Sequence, residues 1–145
     1  MAFNLANAAL RAVPGAFILN SGIGKLELDA ESAGGLQSMA ANAFPAVKDL
    51  DAETFGKLLA GAEIAVGSTL LLPILPNRLA GLALGAFSAG MLTMYFRTEG
   101  MTLDDGVRPS QSGTPLAKDS WLAAIALALL IQGKGKKKAK KAKRK

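Results

Sequence analysis

The chain lacks cysteine and histidine altogether. Disulfide and thiol chemistry, zinc sites built from Cys and His, histidine-ligated haem and any triad with a histidine base therefore lose their required side chains. Two tempting loops are also incomplete. Ser21-Gly22-Ile23-Gly24-Lys25 falls short of a phosphate loop because Leu19 and Leu26 stand where Gly and Ser or Thr are needed. Asp104-Asp105-Gly106 lacks the further ligands and closing Glu of a calcium loop, so no metal site is expected.

An even spread of charge is missing too. The formal charge of +6 arises from residues 134–145, KGKKKAKKAKRK, which hold nine of the seventeen Lys and Arg and no acid. Residues 1–133 keep eight basic against eleven acidic residues, a net of −3. The chain reads as a mildly acidic body with a cationic tail.

What is present in abundance is apolar sequence. Half of the residues are hydrophobic, and mean hydropathy is +0.29. Four stretches stand out, at 3–24, 55–75, 78–96 and 115–133, each spanning roughly 28 to 33 Å as a helix, close to the ~30 Å hydrocarbon layer of a bilayer. The expected fold is all-α: a transmembrane four-helix bundle over residues 1–133, followed by an unordered basic tail. A soluble bundle is the rival, but LAGLALGAFSAGMLTMYF and LAAIALALLIQ show no polar stripe.

Local signals set the joints. Pro73 and Pro76 bracket a tight turn in which Asn77 is placed to cap the third span. Thr114 reads as the N-cap of the fourth, with Pro115 at its first position and Trp121 near the interface. The first stretch has no basic residues ahead of its apolar run and is read as a retained, Pro-bent helix. Within the acidic connection at 25–54, GGLQSMAANAFP is expected to form a short interfacial helix ended by Pro45. The tail places the C-terminus in the cytoplasm, and four spans place the N-terminus there too.

Ionisable residues inside the spans are the candidates for function. Glu63 lies within KLLAGAEIAVGSTLLLPILP and shares a helix face with Gly56, Ala60 and Gly67. Small residues there admit a neighbouring helix, with Gly81, Gly85 and Ala89 offering a similar surface on the third span. The first span carries Asn4, Asn7 and Arg11, continuing through Gly15 and Gly22. Counting from the span ends sets the Arg11 and Glu63 Cα levels about 6 Å apart, within arginine reach, so an intramembrane Arg11–Glu63 pair is expected. That pair is either structural glue or a site that handles a ligand or protons.

In the tail, Lys136, Lys137, Lys138, Lys140, Lys141, Lys143, Arg144 and Lys145 are expected to meet anionic lipid. Alternation with Ala and Gly and the lack of stacking aromatics weigh against nucleic acid.

These features together resemble a known family. Arg11 with Gly15 and Phe17, Ser21-Gly22-Ile23-Gly24-Lys25-Leu26, Gly61-Ala62-Glu63 with Gly67, Pro76-Asn77-Arg78-Leu79-Ala80 and Lys118-Asp119-Ser120-Trp121-Leu122 are similar to the DoxX family of small bacterial four-helix membrane proteins. The likeness covers most of residues 8–132, but not the loop at 97–114 or the tail. It implies a multi-pass protein of the bacterial cytoplasmic membrane, linked to quinone-dependent or oxidative-stress redox assemblies as an accessory subunit. Such a subunit has membrane-associated redox partners, no catalytic residues and no cofactor of its own, a quinone entering through a partner. Transport of a small solute or protons through Arg11 and Glu63 is the alternative. An enzyme acting on a quinone would require the cofactor to do the chemistry.

Overall fold

A computed structural model describes the backbone of residues 5–142 and the side chains of residues 5–132. Apart from a single β-bridge between Thr102 and Pro109, the regular structure among these residues is helical. The long helices are α1 (Leu5–Lys25), α3 (Ala52–Leu71), α4 (Asn77–Arg97) and α6 (Asp119–Ala142). Between α1 and α3 lie α2 (Ala30–Ala43) and a 3-10 turn (Pro45–Asp49); α5 (Thr114–Ala117) leads into α6.

Caps explain where two helices begin. Asp29 accepts a hydrogen bond from the Ser32 N–H at 2.7 Å, and Asp51 one from the Thr54 N–H at 2.9 Å, each satisfying an orphan donor of the first turn. The two sites share one local sequence, Asp-Ala-Glu-Ser at 29–32 and Asp-Ala-Glu-Thr at 51–54. α2 covers the expected interfacial helix and starts four residues earlier because of its Asp29 cap. It ends where Phe44, preceding Pro45, leaves the helical region at φ −130° and ψ 79°.

The joints near the proline turn and the fourth helix differ from expectation in detail. Pro76, not Asn77, is the N-cap of α4; its carbonyl receives the Leu79 and Ala80 N–H groups, while the Asn77 side chain faces another donor. Gly113 takes the cap position of α5, and the Thr114 hydroxyl turns back to the Ser110 carbonyl at 2.9 Å. The backbone of α6 runs to Ala142, so the helix enters the tail expected to be unordered; Lys and Ala are both good helix formers. The tail side chains named above, and Asn4, lie outside the described residues.

Packing follows a ring: α1 on α3, α3 on α4, α4 on α6, and α6 back on α1. Ile18, Leu70, Ala80, Leu84, Ala126 and Leu129 form the buried apolar cluster at its centre. The start of α1, the α3–α4 turn and the later part of α6 share one end. The opposite end carries α2, which packs on α3 and α4, and the loop before α5, pinned by Tyr95 Oη donating to the Val107 carbonyl at 2.8 Å.

Two helical stretches, Asn77–Arg97 and Thr114–Gln132, are long and apolar enough to cross a membrane. α1 and α3, which carry Arg11, Asn20 and Glu63, do not reach the same hydropathy. Only 28% and 11% of the two apolar windows are buried, whereas the core helix of a soluble protein is mostly buried. Large apolar side chains instead face outward on all four long helices, among them Phe17, Leu58, Leu82 and Ile131.

Candidate functional site

The seam between α1 and α3 is built from small residues, and that fixes its register. A Cβ on Gly67 would stand 2.6 Å from the Leu19 backbone nitrogen, and one on Gly22 would stand 2.9 Å from the Ala60 carbonyl oxygen. Gly15 likewise lies against Leu70 and Leu71. The antiparallel helices thus pair residue 15 with 70, 19 with 67 and 22 with 60–64.

This register separates the two charged residues expected to pair. Glu63 sits level with Gly22, while Arg11 lies eleven residues away along α1, a helical rise of about 16 Å. Counting from the span ends underestimated the gap, because glycine contacts, not the span boundaries, set how far the helices slide past each other. Each residue has a different partner.

Arg11 closes the end of α3. Its Nε donates to the Leu70 carbonyl at 2.8 Å, Nη1 to the Leu75 carbonyl at 2.8 Å and Asn77 Oδ1 at 3.1 Å, and Nη2 to the Thr69 and Leu72 carbonyls at 3.0 and 2.7 Å. These five bonds match the five N–H donors of a guanidinium. Pro73 explains the demand: lacking an N–H, it leaves the Thr69 carbonyl without its i+4 donor and ends the helix at Leu71. The negative end of the helix dipole favours the cation in the same place. Four carbonyls and one amide oxygen replace the carboxylate partner expected for this arginine.

Glu63 is buried, with 3% of its surface exposed, and its Oε2 accepts from Lys25 Nζ at 3.0 Å. Lys25 also donates to Ser21 Oγ at 2.6 Å. Lys25 is the last residue of α1, and its side chain remains one-fifth exposed, so the pair opens toward the α2 end of the molecule. Sequence reasoning counted Lys25 with the loop acids and missed this role. The signal was available: within the expected span 55–75 Glu63 lies in the half nearest that loop, where Lys25 is the cation one helical turn beyond Ser21.

The small residues named from the sequence divide into three groups. Gly15, Gly22, Ala60 and Gly67 line the α1–α3 seam, Gly56 meets Ala33 of α2, and Gly81 meets the Ala126 carbonyl of α6. Gly85 makes ordinary contact with Ala126 at 3.7 Å. Ala89 is exposed, a departure from the expected stripe, because a row at four-residue spacing drifts about 80° around a helix in two steps. The α4 face that is buried runs instead through Gly81, Leu84, Ser88 and Tyr95.

Among the described residues no group of His, Cys, Asp and Glu is arranged to hold a metal ion. Comparison with protein-family models, with curated proteins and with solved structures gives no match.

Proposed function

We propose that the chain is a multi-pass membrane protein, a four-span bundle with both termini on the cytoplasmic side of a bacterial inner membrane, serving as a non-catalytic anchoring or accessory subunit. The observation that carries this reading is how the side chains are distributed. Outside are Val13, Phe17, Leu58, Leu82, Leu127 and Ile131; inside, around the small cluster of Ile18, Leu70, Leu84 and Leu129, are glycine, alanine, Arg11, Glu63 and Ser88. Water penalises such an exterior, whereas lipid favours it, and close small-residue contacts supply the packing that lipid cannot drive. The buried charges support a structural role because each is already engaged with the protein.

The redox association rests on the resemblance of the Arg11, Ser21–Leu26, Gly61–Gly67, Pro76–Ala80 and Lys118–Leu122 segments to the DoxX family. In this reading the acidic α2 end and the basic tail are docking surfaces for membrane-associated redox partners, through which a quinone would be reached. Transport through an Arg11–Glu63 pair has less support, since Arg11 has no donor left and the two residues occupy separate levels.

Purification in mild detergent, followed by identification of co-purifying proteins, tests the proposal. Redox-enzyme subunits recovered in fixed stoichiometry support it. A monodisperse protein without partners, or a pH-dependent flux in liposomes abolished by Glu63→Gln, overturns it.

A further inference from the structure

A cleft of about 250 Å³ opens beside the Lys25–Glu63 pair, where the end of α1 meets the first turns of α2 and α3. It is smaller than the ~300–1,000 Å³ typical of a site for a drug-sized ligand, so it suits a compact polar group. Its lining carries both signs of charge, Lys25 and Lys57 against Asp29 and Glu53, together with Leu26 and Leu28.

Each of these charged groups keeps bonding capacity. An ammonium has three donors, and Lys25 uses two, on Ser21 and Glu63. Asp29 accepts from Ser32 on its Oδ1, and its carboxylate has about four acceptor sites in all; Glu53 bonds Lys57 through Oε1. The Lys57–Glu53 pair has side chains 64% and 67% exposed, so it contributes little and exchanges readily for other partners. A dianion entering the cleft would meet two carboxylates, and a simple cation two ammonium groups. A ligand carrying both a phosphate and a primary amine satisfies all four.

The apolar surroundings indicate the source of such a ligand. Leu26, in the wall of the cleft, and Ile23 on α1 and Leu58 on α3, close to lining residues in sequence, are each more than half exposed. We infer that this cleft binds the headgroup of an amine-bearing zwitterionic phospholipid, its phosphate on Lys25 and Lys57 and its ammonium on Asp29 and Glu53, with the acyl chains along Ile23 and Leu58. The inference rests on the membrane reading above.

The test uses the full chain in nanodiscs containing equal amounts of phosphatidylethanolamine, phosphatidylcholine and phosphatidylglycerol, with retained lipid read by native mass spectrometry. Phosphatidylcholine keeps the charges but lacks N–H donors, and phosphatidylglycerol lacks the amine. Phosphatidylethanolamine should be retained about fivefold over either, and Lys57→Gln and Glu53→Gln, both at exposed positions, should abolish the preference. Equal retention of the three lipids, or a preference unchanged in both variants, overturns the site. Displacement of the lipid by soluble phosphoethanolamine at matched concentration overturns the lipid as its source. A chain that stays in the aqueous phase without detergent overturns the membrane reading; one that inserts but shows no lipid preference overturns this inference alone.

Discussion

Arg11 donates from Nη2 to the Thr69 carbonyl at 3.0 Å, the acceptor left without a helical partner because Pro73 has no N–H. An arginine on one helix thus completes the end of another, 58 residues away in sequence. Arg11→Ala would leave several partly buried carbonyls unpaired and should cost about 3 kcal/mol or more. Arg11→Lys, with three donors and no planar fork, should recover only part of this. Thermal unfolding in detergent measures both; equal stability of Arg11→Ala and the parent would refute the capping role.

The Lys25–Glu63 pair behaves as a unit in which the buried member is the more demanding. Lys25→Met leaves Glu63 buried without a countercharge and should destabilise the fold by about 3 kcal/mol or more. Glu63→Gln keeps an oxygen acceptor for Lys25 and should cost less. In the double variant Lys25→Met/Glu63→Leu the charge is removed from both sides, so much of the loss should return. A double-mutant cycle on unfolding midpoints checks this, and strictly additive losses would contradict direct coupling.

Much of the architecture was legible because it depends on local chemistry. Hydropathy located the four long helices, Pro45 and Pro73 located breaks, and small-residue spacing named Gly15, Gly22, Ala60 and Gly67 among eight packing positions without joining them into one seam. Pairing across that seam was not legible. A slide of a few residues between helices leaves every local pattern intact, yet it decides whether Arg11 meets Glu63 or the end of α3. The Asp29 and Asp51 caps were readable in principle from the recurring Asp-Ala-Glu-Ser/Thr segment, but the surrounding acids gave them the look of an ordinary polar loop.

Register itself is open to test through two glycines in different surroundings. Gly67→Ala places a Cβ within 2.6 Å of the Leu19 backbone, which cannot swing aside as a side chain would, so α1 and α3 must separate. Gly85→Ala meets only the Ala126 Cβ at 3.7 Å, an ordinary contact. The first substitution should lower stability by about 1–3 kcal/mol through overpacking, and the second should be near neutral. Comparable losses for the two would argue against the close α1–α3 approach.

Acid should loosen the α2 end before the rest of the molecule. Asp29 and Asp51 are held below the usual aspartate range, chiefly by the backbone N–H groups of Ser32 and Thr54, and Asp105 chiefly by the side chain of Arg108. A depressed folded-state pKa means that the stabilisation is present above the ordinary value of ~3.9 and is lost as pH falls below it toward the folded value. Hydrogen exchange over residues 29–34, 51–56 and 103–108 should therefore accelerate below about pH 4, relative to the intrinsic rate, while the guanidinium of Arg11 stays charged. Asp29→Asn retains a capping oxygen and should remove the acid sensitivity of the first segment. Uniform protection across that pH range would contradict the assignment.

The absence of cysteine makes the topology testable in a clean background. Single cysteines introduced at Ser112, exposed in the loop before α5, and at Lys143, in the basic tail, should label from opposite sides of the membrane in intact cells. Impermeant maleimide should reach Ser112→Cys without lysis and Lys143→Cys only after the membrane is opened, because the nine clustered basic residues favour the cytoplasmic side. Arg78→Cys, in the first turn of α4, should behave like the tail position, because α4 begins at the Arg11 end of the bundle and α6 runs toward that end. If Arg78→Cys instead labelled with Ser112→Cys, α4, the helix between the two positions, would fail to cross. If all three labelled without lysis, the four-span arrangement would fail.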